Sequence, residues 1–145
     1  MLERLLALNP QDNHGVRAEL MNRLLRRGED QQALELARNF PGDVLADLAY
    51  GEVLALYRLG DQAQARRALR TAIGRLPRIP HYLTRKRIKQ PQQGGPLGRR
   101  LGAILGLAPG GEDQAWLYRE AMRDVWEAEP GILAWLKKYG ARGKA

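Results

Sequence analysis

The chain has 145 residues, 24 Lys and Arg against 16 Asp and Glu, no cysteine, and a formal net charge of +8. A chain of this length buries about two thirds of its unfolded surface, so it needs no disulfide or metal staple, and the missing thiols exclude disulfide, thiolate and Cys-zinc chemistry. There is no serine either, which removes the hydroxyl nucleophile of serine hydrolases, and the two histidines, His14 and His81, each lack a second ligand at metal spacing.

The first residues carry charge at Glu3 and Arg4, where a signal peptide needs its apolar core. The longest uncharged run, Leu101 to Gly111, is far shorter than the roughly 20 apolar residues of a membrane span. A cytoplasmic protein is expected. Two segments then align with each other: Leu24-Leu25-Arg26-Arg27-Gly28-Glu29-Asp30-Gln31-Gln32-Ala33 and Leu56-Tyr57-Arg58-Leu59-Gly60-Asp61-Gln62-Ala63-Gln64-Ala65. In each, an apolar helical stretch stops at Gly, an acid follows, and a small Ala arrives five residues after the Gly. Glycine ends helices in a left-handed conformation without a Cβ penalty, and an acid just beyond it meets the positive end of the next helix. Both segments predict helix, tight turn, helix.

These residues resemble the tetratricopeptide repeat, whose pattern places Gly-Asp at the turn, Ala five residues on, and Pro after the second helix. Gly60-Asp61, Ala65, Leu69, Ala72 and Pro77 follow that spacing, and Gly28, Ala33, Ala37 and Pro41 follow it with an early proline. Arg17 stands where the repeat often has Trp, and Glu52-Val53 where it has Leu and a small residue. Longer landmarks are Asn9 to Arg17, Ile79-Pro80-His81-Tyr82-Leu83, Ala108 to Ala115, Trp126, and Pro130 to Leu136. With them the chain is similar to bacterial tetratricopeptide-like proteins distantly related to the suppressor of tumorigenicity 7 family. The resemblance implies an all-α fold of stacked antiparallel helical hairpins, a tetratricopeptide-like α-solenoid, with no established catalytic residues. It also implies that residues 1–10 are half a repeat whose apolar face, Leu2, Leu5 and Leu6, needs a neighbour: a longer array or a second copy of the chain. The expected organisation is repeats over 1–83 (units about 14–41 and 46–79), a basic Gly/Pro-rich linker over 84–111, and a C-terminal helical pair over 112–145 packing on the same domain.

Beyond the repeats, Leu83 to Gln90 extends a short helix. Gln90 to Pro96 reads as linker, and Leu97, Leu101, Ile104 and Leu105 suggest a short amphipathic helix within the linker region. A longer helix runs from about Glu112 to Ala128 with Ala115, Tyr118, Met122, Val125 and Trp126 on one face. Pro130 suits the first turn of a last helix bearing Ile132, Leu133, Leu136 and Tyr139, and Trp116, Trp126 and Trp135 fill the core of this pair.

The charge is uneven: ten acids and seven bases precede Gln62, but Gln62 to Gly111 holds eleven bases and no acid. Two binding surfaces follow. The groove of stacked hairpins, lined by Asn22, Arg26, Tyr50, Leu54, Tyr57 and Arg58, would take a peptide or helix of a partner protein. Asn22 also matches one position of the carboxylate clamp known from tetratricopeptide grooves, although Ala18 and Gly51 replace its partners. The alternative surface is basic: Arg75, Arg78, Arg85, Lys86, Arg87, Lys89, Arg99 and Arg100 would grip nucleic acid or an acidic ligand, with Tyr82 or His81 available to stack on a base. The groove reading leads: a non-enzymatic protein-binding scaffold, without cofactor or metal, with a homodimer through Leu2, Leu5 and Leu6 as one option.

Overall fold

The computed structural model of the chain describes residues 14–40, 45–89 and 112–142. These residues are all-helical, with no strand among them: α1 (His14–Arg26), α2 (Asp30–Asn39), α3 (Ala46–Arg58), α4 (Gln62–Arg75), α5 (Ile79–Thr84), α6 (Glu112–Ala128) and α7 (Ile132–Arg142). The chain divides into two compact units between Leu69 and Arg70, inside α4. The half repeat 1–10 with Leu2, Leu5 and Leu6, the helix expected over 97–105, and Arg99 and Arg100 lie outside the described residues.

In the first unit, two turns share one geometry. Gly28 and Gly60 have φ of +74° and +86°. Each donates its N–H to the carbonyl three residues back, Leu25 and Tyr57, at 3.1 Å. The following N–H, from Glu29 or Asp61, reaches the carbonyl five residues back, Leu24 at 2.9 Å or Leu56 at 3.1 Å. This is the Schellman closure, which satisfies carbonyls that a helix end leaves without partners. The turns differ only at the acid. Asp61 Oδ1 accepts the Gln64 N–H at 3.1 Å while Gln64 Nε2 donates to Asp61 Oδ2 at 2.8 Å, whereas Glu29 makes no side-chain cap.

Within this unit α1 packs on α2 and α3, and α2 on α3. Leu20, Met21, Leu24 and Leu25 of α1 meet Ala33, Leu34, Leu36 and Ala37 of α2 and the long apolar run of α3 in one core. The tightest approach is at Gly51, where a Cβ would stand 2.7 Å from Met21 Cγ and 2.9 Å from Met21 Sδ. A glycine in mid-helix costs helix propensity, and here that cost admits the side chain of Met21 from the neighbouring helix. Arg17 is buried with its guanidinium 4.8 Å from the centre of the Phe40 ring, so its stem and fork cover a flat aromatic surface. Across the unit, Arg58 Nη1 donates to the Leu25 carbonyl at 2.8 Å and to Asp30 Oδ1 at 3.1 Å, tying the end of α3 to the turn between α1 and α2.

In the second unit, α5 packs on α6 and α7, and α6 on α7. The face anticipated for α6, Ala115, Tyr118, Met122, Val125 and Trp126, is the buried one, and Trp126 Nε1 donates to the Tyr118 hydroxyl at 3.0 Å. Trp116 and Trp135 are half-buried rather than core, and α7 begins at Ile132, after a turn holding Pro130 and Gly131 with φ of +77°. Pro130 thus precedes the helix instead of entering its first turn, because the left-handed Gly131 separates the two. At Gly140 of α7 a Cβ would lie 3.1 Å from Pro80 Cβ of α5. The helix expected to continue through Leu83 to Gln90 stops at Thr84, with Arg85 extended at ψ of 128°.

Two expectations follow for stability in urea. Gly60→Ala should lose about 1–2 kcal/mol, the cost of a Cβ in the left-handed region where no neighbouring atom obstructs it, and Gly60→Asn less, since the short polar side chain of Asn hydrogen-bonds locally in that conformation. Gly51→Ala should lose about 1 kcal/mol, because overpacking of roughly 1–3 kcal/mol outweighs the roughly 1 kcal/mol gained in helix propensity. Repeated in a Met21→Ala background, Gly51→Ala should become neutral or stabilising; an unchanged penalty there would show that Met21 is not the obstruction.

Candidate anion-binding site

A helix of six residues is too short to persist on its own in water. Pro80 sits in the first turn of α5, and the helix ends without a glycine, so its last carbonyls cannot be closed as they are after Gly28 and Gly60. The Arg85 N–H closes the His81 carbonyl at 3.3 Å, and side chains serve the others. Thr84 Oγ1 donates to the Pro80 carbonyl at 2.8 Å and to that of His81 at 3.5 Å. Two arginines four residues apart on α6 take the rest. Arg123 Nε donates to the Leu83 carbonyl at 3.1 Å. Arg119 Nη1 donates to the carbonyls of Tyr82 at 2.7 Å and Arg85 at 2.6 Å, and Nη2 to that of Lys86 at 3.0 Å. The rigid five-donor fork of arginine suits such a set of converging oxygens.

The backbone oxygens of Arg85 and Lys86 therefore turn to α6 while the side chains of Arg85, Lys86, Arg87 and Lys89 are exposed. Burial lowers the pKa of Arg119, with the neighbouring Arg123 acting in the same direction, yet an arginine remains charged. Arg123 is also paired with Glu127 at 2.9 Å. Four exposed cations thus stand at Arg85, Lys86, Arg87 and Lys89, with Ile88 half-buried among them, while Glu120 and Glu127 of α6 act on Arg119.

Other residues of the basic set are placed less favourably. Arg75 and Arg78 are exposed, but Arg78 lies 3.7 Å from Glu112 in a solvent-screened pair. Tyr82 is not available for stacking: it is buried in the unit's core, and burial, then the Glu112 carboxylate, hold its phenol above the ordinary tyrosine pKa. His81 is exposed and meets the Tyr82 ring edge-on at 5.8 Å, which leaves it as the aromatic group beside the segment that faces solvent.

The six residues expected to line a groove do not share a surface role. Tyr50 and Leu54 are 0% exposed and belong to the core of the first unit, because α3 is apolar around most of its circumference and α1 and α2 both pack on it. Asn22 Nδ2 donates to Asp47 Oδ2 at 2.8 Å, with Asn22 Oδ1 buried and lacking a hydrogen-bond partner, and Arg58 is engaged with Leu25 and Asp30. Arg26 is exposed and Tyr57 half-buried.

Arg119 and Arg123 are the residues that sequence reasoning missed. Little in the sequence marked them: Arg123 has Glu127 at i+4 as a partner on its own helix, and nothing local singles out the carbonyls of Tyr82, Leu83, Arg85 and Lys86 as acceptors. Among the described residues, no three His, Asp or Glu come together as metal ligands would. No helix of the described residues is long and apolar enough to cross a membrane. Comparison with protein-family models, with curated proteins and with solved structures finds no significant match to this chain.

Proposed function

We propose that the chain is a non-enzymatic binding protein that takes a polyanion, the phosphate backbone of a nucleic acid, on the basic segment Arg85–Lys89. One observation carries this reading: four exposed cations in five residues sit on a backbone whose carbonyls are fastened to α6 by Arg119 and Arg123. A charge run in a mobile linker is most simply a solvated one. Here the run is attached to a folded unit, and its own segment, Gln62 to Gly111, contains no acid. Phosphate contacts supply affinity without sequence preference, which agrees with the lack of a base-reading motif.

The two glycine-hinged segments are read as degenerate tetratricopeptide-like hairpins in a stacked solenoid, supported by their matching Schellman turns. Their role in this proposal is structural. A partner peptide seated in their groove ranks second, since Tyr50 and Leu54 offer it no surface and Asn22 and Arg58 are committed to internal bonds.

Fluorescence anisotropy with a labelled single-stranded oligonucleotide tests the proposal. The logarithm of affinity should fall linearly with the logarithm of salt concentration, and replacing Arg85, Lys86, Arg87 and Lys89 with Ala should flatten that slope by about 3, at about 0.7–0.9 per lost phosphate contact. An unaltered affinity in that variant would sink the proposal, and salt-insensitive binding of a peptide would favour the groove.

A further inference from the structure

We infer that Arg119 is a positioning residue for phosphate binding: by gripping the carbonyls of Tyr82, Arg85 and Lys86 it presents the basic segment already ordered for its ligand. This rests on the function proposed above and adds the group that regulates the same site. Capping alone does not account for Arg119. The helix α5 ends at Thr84, and the carbonyls of Pro80, His81 and Leu83 are already taken by Thr84 Oγ1, the Arg85 N–H and Arg123 Nε. Two of the three carbonyls that Arg119 holds, those of Arg85 and Lys86, lie beyond the helix in the segment that carries the cations. These bonds fix backbone that has no helical partner of its own.

The arrangement also explains how a cation can order other cations. Four like charges in five residues repel one another and favour an expanded ensemble. Arg119 does not oppose them with a carboxylate, which would cancel the field a phosphate is drawn to. It binds their backbone dipoles, with its guanidinium spent on the carbonyls of Tyr82, Arg85 and Lys86. Ordering is thus gained without neutralisation, and the fraction of molecules competent to bind rises in proportion.

Because a bound ligand would re-form every phosphate contact even after the grip is lost, a positioning residue and a contacting residue leave different marks on salt dependence. Arg119→Gln should weaken binding of the single-stranded oligonucleotide about tenfold, as for a competent fraction reduced to about a tenth, with the slope against salt unchanged. Arg87→Ala should weaken it and flatten the slope by about 0.7–0.9. Arg119→Lys should fall between wild type and Arg119→Gln, since a compact ammonium on a flexible stem lacks the rigid fork whose two nitrogens hold the three carbonyls. Circular dichroism verifies the fold of each variant. If Arg119→Gln does not fold, Arg119→Lys decides alone: an affinity loss of about threefold at constant slope supports the inference. Wild-type affinity in the deciding variant, or a slope flattened as in Arg87→Ala, overturns it. A quadruple variant of Arg85, Lys86, Arg87 and Lys89 that loses binding while Arg119→Gln keeps it would remove only this inference. Unchanged binding in the quadruple variant, or none by the wild type, would remove the functional reading and the inference with it.

Discussion

A peptide carbonyl withdrawn from water must find a donor, and every α-helix ends with four that the helix itself cannot serve. How this chain meets that constraint differs between its two units. In the first, the backbone solves it: Gly28 and Gly60 turn left-handed and aim successive N–H groups back at the last turns of α1 and α3. In the second, α5 runs into an arginine instead of a glycine, the chain leaves in an extended direction, and the donors come from Arg119 and Arg123 on α6. Arg58 joins the two solutions, since it adds a side-chain donor to the Leu25 carbonyl already used by the Gly28 turn.

The choice of donor has a functional consequence. A glycine turn consumes only backbone and leaves an uncharged surface behind it. An arginine clasp brings a fixed positive charge to the place where it acts, and here that place is a segment whose own side chains are basic and exposed. Structure and charge therefore reinforce each other at residues 82–89, while in the first unit the polar side chains of Asn22 and Arg58 are spent on holding α1, α2 and α3 together.

What the sequence made legible follows from range. The turns at Gly28 and Gly60 were readable because their cause lies within six residues, and α6 was readable to its ends, Glu112 and Ala128, because its buried face repeats at helical spacing. Pro130 misled by two residues, since the left-handed Gly131 after it delays the helix to Ile132. Tyr50 and Leu54 were assigned to a surface because an apolar residue on a helix that is apolar nearly all round gives no periodic sign of which side faces solvent. The clasp was invisible for a different reason: its donors and acceptors are separated by 33 to 40 residues. Gly51 was noted only as a departure from a groove pattern, yet its cause is the side chain of Met21 thirty positions earlier, which local reading cannot weigh.

On the proposed function, the basic segment Arg85–Lys89 of the second unit meets a phosphate backbone. Titration of the full-length, nitrogen-15-labelled chain with a short oligonucleotide, followed by amide chemical shifts, tests it most directly. Saturable shifts are expected at Arg85–Lys89 and along α6 near Arg119, with α1 and α3 unmoved. Shifts concentrated on α1 and α3 while residues 85–89 stay in place would contradict it.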